Sequence, residues 1–176
     1  MSIDNELEDA RRIYQYTRSL PFTGKIGMAG HSQGGVITIF LSAELGKKNV
    51  KAIALMAHAV IIHDNMLQGS FFGTFFDLLN IPKTLDLFGE KIKIGREYVL
   101  SGQRMKPFQA ARKYKGKVCL IHGTGDTAVP YSYSELLQET YKKCELHIIQ
   151  QADHTFTGIE NQPAHYITEW MDGRNL

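Results

Sequence analysis

The sequence predicts an α/β fold, with a mostly parallel sheet of about four strands flanked by helices and one long insertion. Three observations carry this reading. Short apolar runs of strand character alternate with stretches of helical periodicity along most of the 176 residues. One such run, Lys25-Ile26-Gly27-Met28-Ala29, passes through Gly30-His31-Ser32-Gln33-Gly34-Gly35 straight into a helical stretch. A single connection, His58 to Tyr114, is far longer than those that usually join such elements, so it is expected to hold structure of its own.

The elements follow in order. Asp4 is placed to cap a first helix, whose positions Leu7, Ala10, Ile13, Tyr14 and Thr17 recur at helical spacing, and Pro21 stops it. Lys25 to Ala29 reads as a strand, and Gln33 to Leu45 as a helix ended by Gly46. Val50 to Ala57 is nearly continuous in apolar residues, as a strand covered on both faces should be. Lys117 to Ile121 is a third strand. Ser132 and Glu135 match a capping box before a helix spanning Glu135 to Lys143. Glu145 to Ile149 is a fourth strand, and Pro163 to Met171 a closing helix with proline near its first turn. The expected division is a core of residues 1–57 and 115–176 with residues 58–114 as an inserted cap. Phe71, Phe72, Phe75 and Phe76 recur in that insertion at near-helical spacing, followed by Phe88, Tyr98 and Phe108. These rings either pack the insertion onto the core or line a pocket above Ser32.

Composition narrows the classes. Apolar residues make up 43% and charged residues 22%, an ordinary globular balance. The 20 basic and 18 acidic residues leave a net charge of +2 without a long run of either sign, so neither nucleic acid nor an anionic membrane is expected as a partner. Cys119 and Cys144 are too few for a disulfide framework and lie in strand-like, apolar surroundings, as thiols of a reducing compartment do. No apolar run reaches membrane-spanning length, and the amino terminus is acidic rather than signal-like, so a cytoplasmic location is expected.

The Gly-x-Ser-x-Gly segment, with its strand before and helix after, has the context of a nucleophile elbow rather than of a turn with an incidental serine. Gly30 and Gly34 are expected where the turn is too tight for side chains. A serine hydroxyl is a weak nucleophile until a base lies within hydrogen-bond reach and a carboxylate orients that base. One known chain order for such a set is Ser, then Asp or Glu, then His. Two loops at carboxyl ends of strands supply it here, His122-Gly123-Thr124-Gly125-Asp126 and Gln150-Gln151-Ala152-Asp153-His154. Such edges are where parallel sheets bind ligands. His154 competes with His31, His58, His63, His122, His147 and His165, and its loop position favours it. His122 is expected to brace the Asp126 loop. Asp126 is preferred to Asp153, because a direct sequence neighbour of His154 rarely reaches round to its ring nitrogen.

With these residues in hand the chain resembles the α/β-hydrolases, and more narrowly the bacterial cinnamoyl and feruloyl esterases. The matching stretches are Met28 to Val36, Cys119 to Thr127 with Val129-Pro130, and Glu145-Leu146-His147 with Ala152 to Phe156. The resemblance implies Ser32 as nucleophile, His154 as base, Asp126 as its orienter and the Gln33 N–H as an oxyanion donor. It also implies a cap that holds an aromatic acyl group. Tyr98 and Asp64 fall where such caps have a tyrosine near the substrate and an aspartate, and Phe72 falls near the place of a glutamine that meets a phenolic hydroxyl. Relatives carry several strands before the counterpart of this first helix, with a His-Gly loop giving a second oxyanion donor. The only His-Gly pair here, His122-Gly123, belongs to the acid loop. The fold is therefore expected to be a truncated α/β-hydrolase, the carboxyl-terminal part of an esterase. Its Lys25 to Ala29 edge should then be masked, as a homo-oligomer would do. One missing donor is worth on the order of a hundredfold in turnover.

The expected activity is serine carboxylic-ester hydrolysis through an acyl-enzyme, on aromatic or short acyl esters, with no metal or organic cofactor. The alternatives are a catalytically weak remnant acting as an interaction module, or another hydrolase activity such as lipase, thioesterase or peptidase.

Overall fold

Strand and helix alternate from the first residues of the chain. The computed structural model describes residues 2–89 and 91–172. The termini of the expected core, residues 1 and 173–176, and residue 90 of the insertion lie outside the described residues. Helix α1 (Ile3–Ser19) leads to β1 (Ile26–His31), α2 (Gln33–Asn49) and β2 (Val50–Met56). The long connection then holds α3 (Ile61–Gln68), β3 (Ser70–Phe71), β4 (Thr74–Phe75), β5 (Thr84–Leu87), β6 (Ile92–Gly95), α4 (Arg96–Arg104) and α5 (Pro107–Lys113). The chain returns through β7 (Lys117–Gly123), α6 (Ser132–Thr140), β8 (Cys144–Ile149) and α7 (Asn161–Asp172).

The main sheet has the order β1-β2-β7-β8 and is parallel throughout. Period-two alternation in its two middle strands separates two cores. Ile53, Leu55, Val118 and Leu120 face the larger one, with Val36, Ile39, Val99, Ala111 and Leu137 from the helices. Ala52, Ala54, Cys119 and Ile121 face the other, with Phe156 and Trp170. Burial on both faces explains why β2 and β7 read as unbroken apolar runs. Among the described residues β1 is an edge strand. A groove of about 490 Å³ runs beside it, lined by Ile13, Tyr14, Ile26, Met28 and Ile37. No helix of the described residues is long and apolar enough to cross a membrane.

Local signals were less reliable than periodicity. Ser2, not Asp4, caps α1, and its hydroxyl accepts the Asn5 N–H at 3.2 Å. Asp4 lies inside the first turn and pairs with Arg104 at 2.8 Å. The expected capping box is not formed: α6 starts at Ser132 behind Tyr131, without a side-chain cap. Gly46, with φ 68 and ψ 168, breaks α2 where the sequence places its end, and a short helical stretch beyond the kink carries the element on to Asn49. The four clustered phenylalanines sit on and beside an antiparallel hairpin, β3 with β4, not on a helix. Phe72-Gly73 forms its two-residue turn with φ 47 and 77, the left-handed pair that suits a tight hairpin.

The cap reassignment is testable by denaturant unfolding. Ser2→Ala should lower stability by about 1 kcal/mol, and Asp4→Ala, which removes only an exposed ion pair, by less.

Candidate active site

Ser32, Asp126 and His154 each follow a strand of the main sheet at its carboxyl end, after β1, β7 and β8 respectively. Ser32 itself has φ 53 and ψ −122, a conformation L-residues rarely adopt. Its backbone is fully engaged there. The N–H donates to Met56 O at 2.9 Å, and the carbonyl accepts from Gly35 N at 3.0 Å and Ala59 N at 2.9 Å. The turn is tight at Gly30, where a Cβ would lie 2.3 Å from Gly34 O. The expectation for Gly34 is corrected, since a Cβ there meets nothing within 4 Å. The constrained neighbour is Gly35, whose Cβ would lie 2.8 Å from His58 Cβ, because α2 crosses the start of the insertion at that point.

The three side chains meet. Ser32 Oγ lies 2.9 Å from His154 Nε2, and His154 Nδ1 lies 2.8 Å from Asp126 Oδ2. Asp126 Oδ1 accepts from Ala128 N and Val129 N at 2.9 and 2.8 Å, and Oδ2 also accepts from His122 Nε2 at 3.1 Å. Burial alone would raise the pKa of this carboxyl group. Hydrogen bonds from His122, His154 and Val129 N outweigh it and hold the group below the usual carboxylate range. His122 thus contacts the Asp126 loop as its position suggested. The rival Asp153 is exposed and turned to its own loop, its Oδ1 accepting from Thr155 N at 3.1 Å and Thr157 N at 2.9 Å. His31 braces the histidine loop by donating from Nε2 to His154 O at 2.7 Å.

A cavity of about 470 Å³ opens on Ser32 and His154 and is lined by Ile62, Asn65, Phe71, Phe72 and Phe88. The Phe72 and Phe88 rings stand 5.0 Å apart, each about half exposed at 50% and 52%. Both backbones are left-handed, with φ 47 and 54, so two strained turns present one ring pair to the cavity. Of the other residues singled out from sequence, Gln33 lines the cavity and Tyr98 and Asp64 do not. Tyr98 is buried and donates its hydroxyl hydrogen to Gln33 Oε1, while Gln33 Nε2 donates to Glu6 at 2.6 and 2.5 Å. Burial, with Glu6 nearby, pushes the Tyr98 phenol up. Asp64 accepts from Tyr133 Oη at 2.6 Å. Two residues that sequence spacing does not single out, Ser134 and His58, continue the hydrogen bonds behind His122. Ser134 and His58 are 76 positions apart, so no local pattern links them. Among the described residues no group of three or more His, Cys, Asp or Glu is arranged to hold a metal ion.

No family model matches the chain, and no curated protein matches it. Solved structures do. Est1E from Butyrivibrio proteoclasticus, in a structure with ferulic acid bound, aligns at a TM-score of 0.94 and 29% identity, over 99% of this chain and 69% of that one. The esterase domain of a Rhodothermus marinus protein aligns at 0.68 and 19% identity, over 94% and 68%. A monoacylglycerol lipase from Paleococcus ferrophilus aligns at 0.67 and 16% identity, over 97% and 75%. The fold is that of the α/β-hydrolases, and the resemblance drawn from the motifs leads to the same set of structures.

His58 gives the site a pH signature. Burial, with His122 beside it, lowers its pKa from 6.5 to about 3. Below pH 6.5 the unfolded chain binds a proton at this position that the folded chain refuses until about pH 3. Stability should therefore fall by roughly 1.4 kcal/mol per pH unit through that window as pH drops. Denaturant unfolding across pH 3 to 7 checks this, and His58→Gln should flatten the slope.

Proposed function

We propose that this chain hydrolyses carboxylic esters through an acyl-enzyme on Ser32. The observation that carries the reading is the continuous bonding from Ser32 Oγ through His154 to Asp126, at 2.9 and 2.8 Å, opening into an aromatic-lined cavity. Ser32 Oγ attacks the ester carbonyl carbon while its proton passes to His154 Nε2. The carbonyl oxygen becomes an oxyanion, met by the Gln33 backbone N–H at the first position of α2, where the helix dipole is positive. The intermediate collapses, the C–O bond to the alcohol breaks, and His154 returns its proton to the departing oxygen. Water then gives a proton to His154 and attacks the acyl carbon, the bond from that carbon to Ser32 Oγ breaks, and His154 returns the proton to Oγ as the acid leaves. Asp126, kept ionised by its hydrogen bonds, holds the Nδ1–H of His154 and balances the charge on the imidazolium.

The acyl side is assigned to Phe72 and Phe88, whose rings suit planar aromatic or short acyl groups, and the ferulic acid bound in Est1E supports the aromatic option. Substrate is then a small-molecule ester, and no cofactor enters the scheme. One observation favours a second reading, an interaction module that pairs with a further chain or copy. The β1 edge adjoins an apolar groove of about 490 Å³.

A fluorophosphonate probe separates the two. Stoichiometric labelling at Ser32, lost in Ser32→Ala and reduced in His154→Ala, is the expected result, and a folded sample that stays unlabelled overturns the esterase reading. For the acyl site, Phe72→Ala should raise KM for cinnamoyl-type esters by about tenfold relative to acetyl esters of the same alcohol. Equal effects on both ester series would remove Phe72 from the acyl pocket.

A further inference from the structure

Behind Asp126 the hydrogen bonds run on into the core. His122 is fully buried, with Nε2 at 3.1 Å from Asp126 Oδ2 and 3.0 Å from Val129 O. Both partners are acceptors, so Nε2 carries the ring hydrogen. The opposite nitrogen, Nδ1, lies 2.7 Å from Ser134 Oγ, and the same hydroxyl lies 2.8 Å from His58 Nε2. A hydroxyl has one hydrogen to give. Given to His122 Nδ1, it leaves Ser134 Oγ to accept from His58 Nε2–H. The reverse order would leave a hydrogen on His58 Nδ1, an atom buried without a hydrogen-bond partner among the described residues. Burial already holds the His58 ring neutral, with its pKa at about 3. Every hydrogen then has a direction, from His58 to Ser134 to His122 to Asp126.

We infer that His122, Ser134 and His58 are positioning residues for Asp126, acting as a buried one-way hydrogen-bond chain that fixes the carboxylate lone pair His154 receives. This rests on Asp126 being the orienter of His154 in the esterase reading. Asp126 Oδ2 accepts from both rings, so the His122 hydrogen determines how much of that oxygen's charge is left for His154. Ser134 matters because it locks the tautomer. Without its hydrogen, His122 can turn to the Nδ1–H form and aim a lone pair at Asp126. Among the described residues, the titratable side chains hydrogen-bonded into this series or in ring contact with its members, apart from Asp126, are His31, His58, His122 and His154.

The first test needs no turnover. Nitrogen-15 correlation spectroscopy of the histidine rings in the whole wild-type chain should show His58 and His122 as Nε2–H tautomers and His154 as Nδ1–H. Finding His122 as the Nδ1–H form overturns the inference, whether or not a fluorophosphonate labels Ser32. Failure of that labelling with the expected tautomers present would instead count against the esterase reading. The second test is kinetic. Ser134→Ala should lower kcat for an aryl acetate about tenfold with KM within about twofold. The acidic limb of the kcat/KM profile should move to higher pH, because a less occupied Asp126 holds the His154 proton more firmly. Ser134→Thr should restore much of both. A Ser134→Ala variant as well folded as wild type, with unchanged kcat and an unmoved limb, overturns the inference. Where that variant does not fold, the wild-type spectrum decides.

Discussion

The backbone of Ser32 is the constraint around which the rest is arranged. A serine held at φ 53 and ψ −122 carries strain of about 1–3 kcal/mol, which the neighbouring structure must offset. It does so from three sides. The carboxyl end of β2 takes the Ser32 N–H, and α2 and the first residue of the insertion after His58 both donate to its carbonyl. Gly30 and Gly35 then let α2 come down onto β1 and onto His58 closely enough for those bonds to form.

The parallel sheet does the rest by geometry. All four of its strands end at one edge, so residues from positions 32, 126 and 154 arrive there without a special connection. The loops after β7 and β8 are tied to each other. Thr124 N donates to Ile149 O at 3.0 Å, Gly125 N to Ala152 O at 3.0 Å, and Gln151 N to Thr124 Oγ1 at 2.8 Å. The distance between Asp126 and His154 is thus set by backbone hydrogen bonds as well as by their side chains.

Much of this was legible because it is periodic or ordered along the chain. Apolar runs at β2 and β7, helical spacing at α1, and the order of Ser32, Asp126 and His154 each follow from a rule that acts over neighbouring residues or from strand ends. Two of the misreadings share a cause, which is that nearby residues of similar chemistry offer alternative positions for one role. Ser2 rather than Asp4 takes the cap position and starts the helix two residues earlier, and Gly35 rather than Gly34 sits under a close neighbour. The hairpin at Phe72-Gly73 was hidden because its strands are two residues each, too short to show alternation. The Ser134 link to His58 was beyond sequence reasoning altogether, since only the packed core brings α6 against the start of the insertion.

Gln33 connects more than its backbone role suggests. Its side chain is gripped from one side by Glu6 of α1 and from the other by Tyr98 of α4, so the first helix and the long insertion are laced to the residue next to Ser32. The two half-exposed phenyl rings at the hairpin turns are held differently, by ring contacts to each other and to Phe71, so the cavity has one wall tied by polar bonds and a rim packed from aromatic faces alone.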